Sequence, residues 1–110
     1  MKLPGTIHLG HRKLKVSEIS PKTASKESVY GDFDPAKDRI RIDRSLPHTK
    51  KLNTLIHEIV HLLLDHFNAG LKDKDEEKVC EVLGSGLSDL FAQNPRLLKY
   101  INSVYSNNKK

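Results

Sequence analysis

The segment Leu52-Asn53-Thr54-Leu55-Ile56-His57-Glu58-Ile59-Val60-His61-Leu62-Leu63-Leu64-Asp65-His66-Phe67 changes the hydrophobic period of the chain. Its apolar residues Leu52, Leu55, Ile56, Ile59, Val60, Leu63 and Phe67 recur at intervals of three and four. That is the 3.6-residue period of an amphipathic helix, and it predicts one from about His48 to about Phe67. Ser45 or Pro47 marks the start and Asn68-Ala69-Gly70 the end. Ile59, Val60 and Leu62 to Leu64 make the helix apolar nearly all round, so it is expected to be buried.

Upstream, the period is two. Ile7, Leu9, Leu14 and Val16 alternate around Gly10-His11-Arg12-Lys13 and predict a small hairpin. Ser17 to Lys26 is polar and contains Pro21, and is expected to be a loop. Val29 to Phe33 reads as a strand, followed by turn chemistry in Asp34-Pro35-Ala36-Lys37-Asp38. Arg39-Ile40-Arg41-Ile42-Asp43 alternates strictly, with isoleucines toward a core and charges toward water. Downstream, Val79, Leu83, Leu87, Leu90 and Phe91 predict a second helix from about Glu76 to Ala92, ended by Asn94-Pro95. A last short helix carries Leu97, Leu98, Ile101 and Val104. Residues 106–110 are expected to fray. Strands first and helices after predict an α+β domain: a small, mainly antiparallel sheet with helices on one face.

Composition sets the outer bounds. The chain has 110 residues, the size of one domain over 1–110, with 36% hydrophobic and 30% charged residues. There is no Trp and only 5% aromatic residues, so the core must rest on Leu, Ile and Val. No apolar run approaches the ~18–20 residues of a membrane span. The opening Met1-Lys2-Leu3-Pro4-Gly5 does not read as a secretory signal. Cys80 is the only cysteine, which excludes an internal disulfide and a C-x-x-C metal site and points to a reducing cytosol. The net charge of +5, from 19 Lys+Arg against 14 Asp+Glu, is spread through Arg12 to Lys15, Lys50-Lys51 and Lys109-Lys110. Such spacing fits a solvated surface better than a nucleic-acid groove, with DNA association as a minor reading.

His57-Glu58-Ile59-Val60-His61 is an H-E-x-x-H motif inside the predicted helix. Two histidines four residues apart lie about 6 Å apart along the axis and nearly on one face. Their imidazoles can converge on one zinc ion. Glu58 lies about 100° further round, where it can serve as general base for a water attacking a carbonyl. Catalytic zinc needs a third protein ligand and an open position. Asp65 is about 12 Å of rise from His57, too far for the same ion. The elongated H-E-x-x-H-x-x-G-x-x-H form is absent, because Leu64 and Phe67 occupy its glycine and last histidine positions.

The third ligand is therefore expected from the second helix, where Glu76, Glu77 and Glu81 are candidates. Periodicity places Glu76 beside Val79 and Leu83. However, Asp73-Lys74-Asp75-Glu76 has the spacing of a capping box that would occupy Glu76. Glu81, one turn after Glu77, could then orient a ligand histidine through its second nitrogen. The reading favours Glu77, with Glu76 the alternative. Tyr30 or His66 could donate to an oxyanion, and strand Arg39–Asp43 could be an edge that pairs with an extended peptide. Gly84 and Gly86 inside the helix are expected to permit close helix–helix approach.

The motif followed by Glu77-Lys78-Val79-Cys80-Glu81 resembles the layout of zincin metallopeptidases. Within them it is most similar to small phage and mobile-element proteins of the ImmA/IrrE group, over roughly residues 6–100. It departs from that group at Asp65, where many members carry His, and at Cys80, where a small Ala is usual. The resemblance implies a zincin-like fold, Zn2+ held by His57, His61 and Glu77, Glu58 as catalytic base, and hydrolysis of a protein or peptide substrate. Two rival readings are a non-catalytic module in which zinc staples two helices, and a DNA-associated accessory protein.

Overall fold

The computed structural model describes residues 2–27 and 29–108. The predicted hairpin forms from β1 (Thr6–Leu9) and β2 (Arg12–Ile19), with Gly10 at φ 60° in the turn. Such a left-handed backbone is natural for glycine. The expected loop of residues 17–26 does not exist as such. β2 continues to Ile19, and α1 (Pro21–Glu27) follows at once. Ser20 explains the helix start: its Oγ accepts the Thr23 backbone N–H at 3.1 Å, and Pro21 needs no hydrogen-bond partner at the first helical position.

β3 (Gly31–Asp34) and β4 (Arg39–Asp43) form a second antiparallel pair. Asp34 Oδ1 closes the connecting turn by accepting the backbone N–H groups of Ala36 and Lys37. The strand order is β1-β2-β4-β3, with β2 and β4 parallel. The α+β class and the mainly antiparallel sheet are as expected. β4 is not an edge, however: β2 holds one side of it and β3 the other. The open edge beside the helices is β3.

α2 (His48–His66) lies against β3 and β4. It begins after Pro47, while the Ser45 hydroxyl is bound to Asp43 Oδ1. Leu14, Val16, Ile40 and Ile42 from the sheet meet Leu55 and Leu62 of α2 in the core. Period two in the strands and period 3.6 in the helix thus supply the two faces of one apolar layer.

α3 (Asp73–Gln93) starts three residues earlier than expected, after Lys72, and no side chain caps it. Its buried residues are Cys80, Gly84 and Ser88, all small. The expected large stripe is not what it buries: Leu83 is 38% exposed and Leu90 45% exposed. The reason is the distance between helices. A Cβ on Gly84 would lie 3.1 Å from the Asn53 carbonyl oxygen and 3.2 Å from His57 Cβ. α2 and α3 are too close for a large residue between them. Gly86 has open space around it and takes no part in this approach. α4 (Pro95–Asn108) carries helix to Asn108, further than the expected fraying allowed; residues 109–110 lie outside the described residues. Among the described residues, no helix is long and apolar enough to cross a membrane.

Candidate metal centre

α2 puts His57 and His61 on consecutive turns, with ring centroids 5.1 Å apart. α3 crosses them with Glu77 directly opposite. Glu77 Oε1 lies 2.8 Å from His57 Nε2, and its Oε2 lies 3.1 Å from His61 Nε2. The two rings therefore turn the same nitrogen toward one carboxylate. One donor atom from each of the three residues falls within 4.8 Å of the others, a group that could hold a metal ion. Two imidazoles and a carboxylate are a donor set zinc accepts.

The neighbouring acids divide in a way the sequence left open. Glu76 does not cap α3. Its Oε2 lies 2.7 Å from His61 Nδ1, on the far side of the ring from Glu77. Glu81 makes no hydrogen bond to either histidine among the described residues, so the orienting contact expected of it belongs to Glu76. Gly84 makes this crossing possible, since it seats α3 against the backbone of His57 two turns beyond Glu77.

Glu58 is only 7% exposed, yet it borders the same cleft. Burial pushes its carboxyl up to about 7, because a buried anion has lost its water. The His61 imidazole works in the opposite direction, and the Glu77 and Asp32 carboxylates add to the rise.

The cleft has a volume of about 750 Å³. α2 forms its floor, α3 one wall and β3 the other. Gly31 lets the strand come this close: a Cβ there would meet Thr54 Cγ2 at 2.8 Å and the Arg41 carbonyl oxygen at 2.7 Å. Arg41 of β4 holds Asp32 of β3 through its Nε at 3.0 Å and reaches Glu27 of α1 at 2.9 Å. The strand's free edge can be read from its pairing. Tyr30 stands opposite Asp43 in the register, and the Asp43 N–H donates to the Tyr30 carbonyl at 2.7 Å. Tyr30, Asp32 and Asp34 therefore turn their backbone groups toward β4. Gly31 and Phe33 turn theirs outward, by the alternation of a strand. Both line the cleft.

Of the two oxyanion candidates, Tyr30 borders the cleft and His66 does not. His66 packs edge-on against Phe67 and next to Gly10. Asp65, as its distance along the helix required, is away from the three donors and binds Arg12 at 3.1 Å. Asn53, which the sequence reading passed over, lines the cleft one turn before His57. Its position four residues ahead of His57 was the available signal.

The peptidase family described as the IrrE N-terminal-like domain matches residues 10–81. The chain belongs to that family. The matched span runs from the hairpin turn through α2 and closes at Glu81, one turn after Glu77. It thus takes in all three donors and Glu58, and it makes this a metallopeptidase-like domain. No curated protein and no solved structure gives a significant match to the chain.

Proposed function

We propose that this domain is a zinc-dependent metallopeptidase that hydrolyses peptide bonds in an extended protein segment. His57, His61 and Glu77 hold the metal, and Glu76 fixes the ring of His61 by accepting its Nδ1–H. Zinc held there supplies Lewis acidity, polarising a peptide carbonyl and making water a stronger acid. Glu58 takes the proton that the attacking water gives up and delivers it to the departing amine. Burial raises the proton affinity of that carboxyl, which favours its taking a proton from water. The outward N–H and C=O groups of Gly31 and Phe33 hold the substrate as an added strand, keeping its backbone along the cleft. Tyr30, which borders the cleft ahead of the strand, supports this reading as a hydroxyl that would donate to the substrate. The sheet and α2 share one core, α3 packs on α2, and all three border one cleft, so we read residues 1–110 as a single domain.

The observation that carries this reading is the convergence of both imidazole Nε2 atoms and Glu77 beside a buried, otherwise unused carboxyl. A structural zinc fills its four positions with protein and needs no base. The test compares zinc content and hydrolysis of an unfolded protein substrate in wild type, Glu58→Gln and His61→Ala. Glu58→Gln should keep zinc and lose about 10²–10⁴-fold in turnover, and His61→Ala should lose both. Zinc retained in wild type with no hydrolysis would instead make the metal a staple between α2 and α3. Wild type without zinc affinity would refute both.

A further inference from the structure

The charges of this chain are segregated. Among the described residues, six acidic side chains, Asp32, Glu58, Asp65, Glu76, Glu77 and Glu81, line the cleft, against a single Lys or Arg, Lys50. The lining of the cleft is therefore acidic in a chain of net charge +5. Low-dielectric walls focus such a field onto whatever enters.

Most of these acids already have partners. Asp32 is held by Arg41 and Asp65 by Arg12. Glu76 and Glu77 are held by the imidazoles, and Glu58 is buried. Lys50, the lone cation of the lining, has its Nζ 4.8 Å from the Tyr30 ring centroid on the opposite wall. Glu81 is exposed and makes no ion pair among the described residues. It stands one turn from Glu77, about 6 Å along α3. An extended peptide advances about 3.3 Å per residue, so a peptide running along α3 covers that offset in about two residues.

We infer that the cleft selects cationic peptide segments, with Glu81 reading a Lys or Arg about two residues from the scissile bond. The inference rests on the peptidase reading of the cleft and adds the charge of its substrate. The open edge of β3 accepts any backbone, so it gives no preference of its own. Glu81 on the opposite wall, the exposed acid of the lining without a partner among the described residues, supplies the discrimination.

The test uses zinc-loaded Glu58→Gln protein, so that binding is measured without turnover. Two fluorescein-labelled octapeptides of equal length are titrated by anisotropy, one with two lysines and one with glutamines in their place. The lysine peptide should bind about fivefold more tightly, the scale of one exposed charge pair, and the advantage should shrink with added salt. Adding Glu81→Gln should erase the advantage while zinc content stays unchanged, and Glu81→Lys should reverse it. Equal binding of the two peptides, binding of neither, or an advantage that survives Glu81→Gln overturns the inference. Wild type separates this from the hydrolysis reading. Cleavage of both peptides at one rate keeps hydrolysis and removes the charge preference. A Glu81-dependent preference in binding with no cleavage keeps the preference and removes hydrolysis.

Discussion

Replacing Glu58 with Gln should make the chelator-treated protein more stable at alkaline pH. In the folded chain the Glu58 carboxyl sits at about 7 against an ordinary 4.5, mainly through burial. A group whose folded pKa is raised binds its proton more tightly folded than unfolded. Its contribution to stability is therefore full below about 4.5 and is lost as pH rises through about 7. Each pH unit of difference is worth 1.36 kcal/mol, so the loss comes to about 3 kcal/mol. That is a large share of the ~5–15 kcal/mol that holds a small domain folded. Gln keeps the shape and never ionises. The assay is urea unfolding of both proteins in EDTA at pH 4.5 and pH 8, read by circular dichroism. Both proteins share every other titrating group, so the difference between them isolates residue 58. The Glu58→Gln advantage should grow by about 3 kcal/mol between the two pH values. An advantage that stays constant from acid to alkali would refute the argument, because it would mean the carboxyl ionises as easily folded as unfolded.

Gly84 and Glu76 offer two further tests. Gly84→Ala should leave stability nearly unchanged, since about 1 kcal/mol of helix propensity offsets the tight Cβ contacts at Asn53 and His57. It should nonetheless weaken zinc binding by shifting Glu77, as isothermal titration would register, while Gly84→Val should cost about 1–3 kcal/mol in urea unfolding. Glu76→Gln should retain the metal with affinity lowered about 10–100-fold in a competitive chelator titration, because Gln accepts the His61 Nδ1–H less strongly.

How far the sequence carries the fold depends on which kind of pattern an element leaves. α2 and β4 were legible because their apolar residues repeat cleanly, and Gly10 marked the hairpin. α1 was not: seven polar-rich residues show no period, and only Ser20-Pro21 announces a start. The burial face of α3 misled for a physical reason. Periodicity counts large apolar residues, but the approach of α2 selects small ones, so Cys80, Gly84 and Ser88 go inside and Leu83 and Leu90 stay out. Which strand forms the edge is equally invisible locally. Ile40 and Ile42 look the same in a central or an outer strand, and only the parallel pairing with β2 moves β4 inward.

The site followed the same division. His57, Glu58 and His61 were legible because four-residue spacing within one helix fixes their relation without tertiary information. Glu77 was favoured over Glu76 on grounds that do not hold, a capping box at Glu76 and an orienting Glu81, since a sound assignment requires the phase of one helix against another. Adjacent residues differ by about 100° around the axis. At this crossing that angle carries one carboxylate to the Nδ1 side of His61 and the other to the Nε2 side, where His57 also points. Had α3 been rotated by a single residue, the two acids could not have kept these places. Gly84 limits that rotation, because the backbone of α2 leaves no room for a large side chain there, and Cys80 and Ser88 lie buried on the same face. A glycine and two small side chains on the buried face of α3 therefore help decide which glutamate faces the pair of imidazoles.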